Sequence, residues 1–266
     1  MSDTASFFRN KKVVFLDLDG TVCMGDNLIP GAREFLDYLR DKGIFFYFLS
    51  NNSSRSKSDY VKKLSKLGIA ADEERILLST DGVIAFLQEK KIKDLYVMGT
   101  KSMQEMFRGA GFDTESPSPR YVVLGFDTEL TYEKLKKASL FMQDGVQLLA
   151  THPDLVCPTP EGFIPDTGAM LALLEKATGK KTLKIFGKPN QEMVAHILKK
   201  HGVSPDEVVM IGDRLYTDME LARRIQCDSI LVLSGETKKQ DIARLQQKPT
   251  LVVDSIASLL PNGDIP

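Results

Sequence analysis

The sequence predicts an α/β protein built around parallel sheet, and three features carry that expectation. Short apolar runs rich in β-branched and aromatic residues alternate with segments whose apolar positions recur at i, i+3, i+4 and i+7. Several of the amphipathic segments end on the same glycine punctuation. The residues able to do chemistry fall where an apolar run stops rather than inside one. Strands that alternate with helices pair in parallel through right-handed crossovers, and ligands of such sheets bind beyond the carboxyl ends of the strands.

Residues 13–16, Val-Val-Phe-Leu, are the first strand, and Phe35, Leu36 and Leu39 mark the buried face of a helix beginning near Gly31. The stretch between Gly20 and Gly31 is short, enough for a hairpin flap around Gly25 and Asp26. Residues 44–49 are the second strand, followed by a helix with Tyr60, Val61, Leu64 and Leu67 on one face. Further strands are expected at 76–78, 95–98, 121–125, 147–150, 184–186, 208–211, 230–233 and 251–253. Helices stop at Lys42-Gly43-Ile44, Leu67-Gly68-Ile69, Ala110-Gly111-Phe112 and His201-Gly202-Val203. In each, glycine can take the left-handed conformation that ends a helix, and the apolar residue after it packs back. Paired lysines at 62–63, 90–91, 136–137, 180–181, 199–200 and 238–239 are scattered and balanced by acids, and read as solvated helix faces.

Composition excludes several classes of partner. Lys+Arg 35 against Asp+Glu 36 leaves a formal charge of −1, with no clustered basic surplus for nucleic acid and no acidic block of the disordered kind. The longest apolar runs fall far short of the ~20 residues of a membrane span, so no membrane partner is expected. Residues 1–12 contain no apolar signal core, and Cys23, Cys157 and Cys227 lack metal-ligand spacing. Free thiols of a reducing compartment, hence a cytoplasmic location, are the expectation.

Four constellations could carry chemistry. Asp17-Leu18-Asp19-Gly20-Thr21 follows the first strand, and two carboxylates that close are costly without a proton or cation between them. Mg²⁺ would resolve this, since it takes one or two carboxylates plus phosphate and water oxygens; a solvated acidic turn is the alternative. An EF-hand fails on the same residues, with Val22 in place of its glycine and Leu28 in place of its closing glutamate. Ser50-Asn51-Asn52-Ser53 ends the second strand before a helix, where hydroxyl, amides and unpaired N–H groups would cradle a phosphate or serve as a plain N-cap. Lys188 follows the strand at 184–186; a phosphate-binding P-loop is excluded because Thr182 stands where its first glycine belongs. Gly212-Asp213-Arg214 with Asp218 ends the strand at 208–211 and opens a helix.

This ordered set resembles the four motifs of the haloacid dehalogenase superfamily, matched here by Asp17-Leu18-Asp19-Gly20-Thr21, Ser50, Lys188 and Gly212-Asp213 with Asp218. The long stretch between Ser50 and Lys188 exceeds any one crossover. With Leu49-Ser50-Asn51-Asn52-Ser53-Ser54, Ala150-Thr151-His152-Pro153-Asp154 and Pro158-Thr159-Pro160-Glu161-Gly162, it is similar to the large-cap class typified by NagD and p-nitrophenyl-phosphatase-like proteins. The resemblance implies a Rossmann-like core with a parallel sheet flanked by helices, and an α/β cap inserted between the second and third motifs. Core would be 1–80 and 184–266, cap 81–183.

It implies a phosphomonoesterase acting on a small phosphorylated metabolite. Asp17 would attack phosphorus to give an aspartyl-phosphate, and Asp19 would protonate the leaving oxygen and later deprotonate water. Asp17, Asp19 through its main-chain carbonyl, and Asp213 would hold Mg²⁺, with Asp218 near it or acting through water. Ser50, Asn51 and Asn52 would grip phosphoryl oxygens, and Lys188 would offset their charge. His152 and Cys157, in a cap loop at 151–158, are candidate substrate contacts. His152 stands where relatives often carry Asn and Cys157 where the pyridoxal-phosphate branch carries His, which counts against a pyridoxal phosphate specialist. Caps of this class often mediate dimers, which leaves a homodimer open. A phosphoryl transferase and a phospho-accepting receiver module are the competing readings. Asp19 speaks against the receiver, because an acid/base beside the nucleophile is built for turnover.

Overall fold

The strand Val13–Asp17 is buried along its whole length and lies at the middle of a six-stranded sheet. It pairs in parallel with Phe45–Ser50 on one side and Val208–Gly212 on the other. Asp228–Val232 and Leu251–Val253 extend the sheet beyond Val208–Gly212, and Ile76–Leu78 forms the opposite edge. The computed structural model describes residues 4–159, 161–243, 245 and 247–260. Among them no helix is long and apolar enough to cross a membrane.

The chain divides into two units, one of 1–50, 61–77 and 188–266, the other of 51–60 and 78–187. The first holds the six-stranded sheet. Its core gathers Val13, Phe15, Leu49, Val194, Met210 and Leu221, all at most 6% exposed. The second is built on four parallel strands in the order Lys184–Ile185, Gln147–Ala150, Tyr121–Leu124 and Leu95–Met98. One face of that sheet packs Tyr96, Met98, Leu124 and Leu174; the other packs Val83, Leu87, Val97 and Phe107. The division differs in detail from single cuts at 81 and 183. Residues 51–60 belong with the second unit, and Lys184–Ile185 completes its sheet by pairing with Leu149 and Ala150.

The glycine punctuation acts as expected. Gly43, Gly68, Gly111 and Gly202 all have φ between 60° and 92°. The residue after each donates back into its helix, as Ile44 N does to Leu39 O at 2.9 Å and Ile69 N to Leu64 O at 2.8 Å. That use of Ile44 explains why the second strand begins at Phe45 rather than Ile44. The flap is a hairpin, Cys23–Met24 against Asn27–Leu28, turning at Gly25 and Asp26. The segment holding Cys157, expected as loop, instead forms the strand Val156–Thr159, antiparallel to Gly162–Pro165. All three cysteines are free thiols.

Candidate active site

Register sets three of the candidate residues side by side. Asp17 closes its strand opposite Leu49, so Ser50 stands one residue further on that flank. Leu16 pairs with Ile211, so Gly212 and Asp213 follow on the other flank. Asp218 arrives on a π-helical turn, Leu215–Met219, an irregularity that recurs at functional sites. Asp17, Lys188, Asp213 and Asp218 are between 0% and 8% exposed. Lys188 Nζ donates to Asp17 Oδ1, lies 2.7 Å from Asp218 Oδ1, and donates at 3.3 Å to the Leu49 carbonyl.

Burial is the largest influence on these groups. It lifts Asp17 well above the usual carboxylate range against the pull of Lys188, with Asp218 and Asp213 adding repulsion. Burial and then Asp218 push Asp213 up to about 6. Lys188 loses hydration on burial, yet Asp17 and Asp218 outweigh that loss and hold its pKa above the ordinary lysine value.

Asp17, Asp213 and Asp218 each offer a carboxylate oxygen within 4.8 Å of the others, and the ammonium beside these three buried acids, that of Lys188, pairs with Asp17 and Asp218. Fully ionised they carry an excess of two negative charges, and Asp213 Oδ1 is buried without a hydrogen-bond partner among the described residues. A divalent cation fits both facts. Glycine makes the room: a Cβ on Gly235 would lie 1.9 Å from Asp213 Oδ2, one on Gly20 2.6 Å from the same atom. Asp213 Oδ2 is fixed by the main-chain N–H of Glu236 at 2.6 Å.

The carboxylate of Asp19 is outside that cluster of three. Its Oδ1 takes the Lys63 ammonium at 3.0 Å and the Cys23 thiol at 3.7 Å. Ser50 is 4% exposed at the end of its strand. In the second unit, Asn51 donates through Nδ2 to Asp154 Oδ1 at 3.2 Å, and Asn52 Oδ1 accepts from the N–H and hydroxyl of Ser54 in a tight turn.

His152 is fully buried, and both ring nitrogens have partners. Nε2 is 2.8 Å from Asp166 Oδ1, which also accepts the Thr167 N–H at 2.5 Å; Nδ1 is 2.9 Å from Thr151 Oγ1. Thr151 Oγ1 is 3.0 Å from Ser53 Oγ, which accepts from Phe126 N. Since a carboxylate oxygen only accepts, Nε2 donates to Asp166 Oδ1, and Nδ1 is placed to accept from the Thr151 hydroxyl. Every donor then has an acceptor, from Phe126 N–H through Ser53 and Thr151 to the imidazole and Asp166. In the nearby grouping of His152, Asp154 and Asp166, Asp154 accepts from Asn51 and Asp166 is engaged by His152 and Thr167. Cys157 is half-buried and packs against the cluster around Tyr96 and Met98.

Sequence reasoning missed Lys63. It took the pair Lys62 and Lys63 as a solvated face, but only Lys62 is exposed; the Lys63 side chain is 10% exposed and paired with Asp19. The available signal was helical phase, since Lys63 follows Tyr60 by one turn and Tyr60 is buried. The walls of Asp213 built from Gly235 and Glu236 had no signal at all.

The chain resembles known proteins along nearly its whole length. A family model described as haloacid dehalogenase-like hydrolase matches residues 14–113, and a second, HAD-hydrolase-like, matches 185–259. The chain is 34% identical to a dihydroxyacetone phosphatase of Corynebacterium glutamicum, over 94% of this chain and 91% of that one. It is 30% identical to the 5'-nucleotidase YutF of Bacillus subtilis, over 95% and 99%. The crystal structure of a 4-nitrophenylphosphatase from Thermotoga maritima superposes with a TM-score of 0.90 at 38% identity, covering 95% and 97%. The chain belongs to the haloacid dehalogenase-like hydrolases, in their NagD-like and p-nitrophenyl-phosphatase-like branch.

Proposed function

We propose that this protein hydrolyses the phosphate monoester of a small metabolite through an aspartyl-phosphate on Asp17. The observation that carries the reading is the Lys188 ammonium shared between Asp17 and Asp218 in a buried cluster at the ends of central strands. An anionic nucleophile facing an anionic phosphate needs positive charge held in place, and in many enzymes charge preorganised in this way accelerates the reaction more than any other single effect. Lys188 supplies part of it and keeps Asp17 oriented. Mg²⁺, held by Asp17, Asp213, Asp218 and the main-chain carbonyl of Asp19, would offset the repulsion between Asp17 and the incoming phosphate.

Asp19, outside the cluster and two residues beyond the nucleophile, serves as acid for the leaving oxygen and then as base for water. The hydroxyl of Ser50 and the main-chain N–H of Asn51 take phosphoryl oxygens. The Asn51 and Asn52 side chains are engaged by Asp154 and Ser54, so they shape this segment. The second unit is the cap, and His152 acts within it as a strut.

The relatives' names set the substrates to try: dihydroxyacetone phosphate, 5'-nucleotides and 4-nitrophenyl phosphate. Phosphate release with Mg²⁺ from that panel, with Asp17→Asn as blank, tests the reading. Release by the wild type alone supports it; equal release by the variant removes Asp17 as nucleophile.

A further inference from the structure

Asp19 has two carboxylate oxygens, and the structure treats them unequally. Lys63 Nζ at 3.0 Å and Cys23 Sγ at 3.7 Å both fall on Oδ1. Oδ2 has no hydrogen bond among the described residues. The main chain around Asp19 is also fixed: Gly20 N donates to the Cys23 carbonyl at 2.8 Å, and the N–H groups of Val22 and Cys23 converge on Leu18 O at 2.9 and 3.0 Å. What these main-chain bonds leave undetermined is the rotation of the carboxylate, and the groups that meet it, Lys63 and Cys23, both meet Oδ1.

The lysine is ill placed for a surface ion pair. Its side chain is 10% exposed against 32% for Asp19, and Lys62 next to it is in solvent. Burying the ammonium costs hydration, but the close contact with Asp19 outweighs that loss and holds the Lys63 pKa above the ordinary lysine value. The pair can also contribute orientation, for a four-carbon chain packed along its length has few rotamers left.

We propose that Lys63 is the positioning residue of Asp19, clamping Oδ1 so that Oδ2 is the oxygen that handles the proton. The inference rests on the phosphatase reading above. In the first step a bond forms between an Asp17 oxygen and phosphorus while the bond from phosphorus to the leaving oxygen breaks. The proton on Asp19 Oδ2 passes to that oxygen, the alcohol departs neutral, and Asp19 is left as a carboxylate held by Lys63. A misplaced acid matters most where the leaving group is poor. An alkyl alkoxide needs the proton, whereas nitrophenolate leaves readily without it.

The test compares wild type, Lys63→Met, Lys63→Arg and Asp19→Asn on 4-nitrophenyl phosphate and on the best alkyl phosphate of the panel, dihydroxyacetone phosphate serving where it is turned over. Because hydrolysis of the aspartyl-phosphate is common to both esters and also uses Asp19, the readout is the pre-steady-state release of alcohol: positioning predicts that Lys63→Met slows that release from the alkyl ester by at least about tenfold, a modest part of a general acid's usual contribution. The aryl ester should lose less than about threefold, KM should hold for both, and Lys63→Arg should restore most of the alkyl rate. Equal losses on the two esters, with no rescue by arginine, would make Lys63 merely structural and overturn the inference. Asp19→Asn separates the two levels: selective loss of the alkyl rate there keeps Asp19 as acid whatever Lys63 does, while unchanged turnover removes the reading beneath. Should Lys63→Met fold poorly by circular dichroism, Lys63→Gln takes its place in the comparison.

Discussion

Lys188 Nζ lies 2.7 Å from Asp218 Oδ1 while also donating to Asp17, so one buried ammonium is shared by two carboxylates from distant parts of the chain. Lys188→Met should therefore affect stability as well as turnover. It leaves buried acids without their cation, and losing one partner of a buried pair typically costs about 3–5 kcal/mol. Urea unfolding in EDTA should show a loss of that order, and turnover should fall by about a hundredfold or more. Unchanged stability would mean the acids of the free protein are neutral and Lys188 is not their partner.

Gly235 tests the wall around Asp213. A Cβ there would lie 1.9 Å from Asp213 Oδ2, so Gly235→Ala must displace the carboxylate or the loop. Displacing a group that orients a metal ligand commonly costs 10–100-fold in affinity or activity, on the order of the effect expected here. The Mg²⁺ concentration for half-maximal activity should rise by about tenfold or more while the melting temperature in EDTA barely moves. An unshifted Mg²⁺ dependence would take Asp213 out of the metal site.

The raised acids also fix how stability depends on pH. Asp213 goes from 3.8 in its ordinary state to about 6 in the fold, and Asp17 moves in the same direction. The folded protein thus binds protons that the unfolded chain has released, and the contribution is full below pH 3.8 and lost as pH rises through about 6. In EDTA the melting temperature should fall between pH 5 and pH 7. A divalent cation competes with those protons, so added Mg²⁺ should raise the melting temperature more at pH 7 than at pH 5. Equal shifts at both would separate the acids from the ion.

The central strands and the acids at their ends were legible because each apolar run is short, fully buried and meets a polar residue where it stops, as in Val13–Asp17 and Val208–Gly212. The hairpin of Val156–Thr159 and Gly162–Pro165 was not, since Pro158 and Gly162 punctuate it and the second strand is exposed throughout. Lys63 was hidden for a different reason. Its partner is far away in sequence, and only the helical phase set by the buried Tyr60 distinguishes the inward member of the lysine pair. The edge strand Lys184–Ile185 was seen, but its sheet was not, because a strand's sequence does not name its neighbour.

Substituting His152 discriminates between the substrate contact expected from the sequence and the strut that its hydrogen bonds describe. As a strut it holds Asp166, which caps the helix Thr167–Thr178, and it completes a chain of donors reaching Phe126. His152→Ala would leave the Thr151 hydroxyl and part of Asp166 without partners in a buried place. Each such group costs about 1–3 kcal/mol. Urea unfolding should register a loss of that size, and KM for the best substrate should change less than kcat or stability does. If His152 instead contacts substrate, the outcome reverses: KM rises severalfold and the unfolding midpoint stays where it was. The fully buried ring, with both nitrogens engaged inside its own unit, favours the first result.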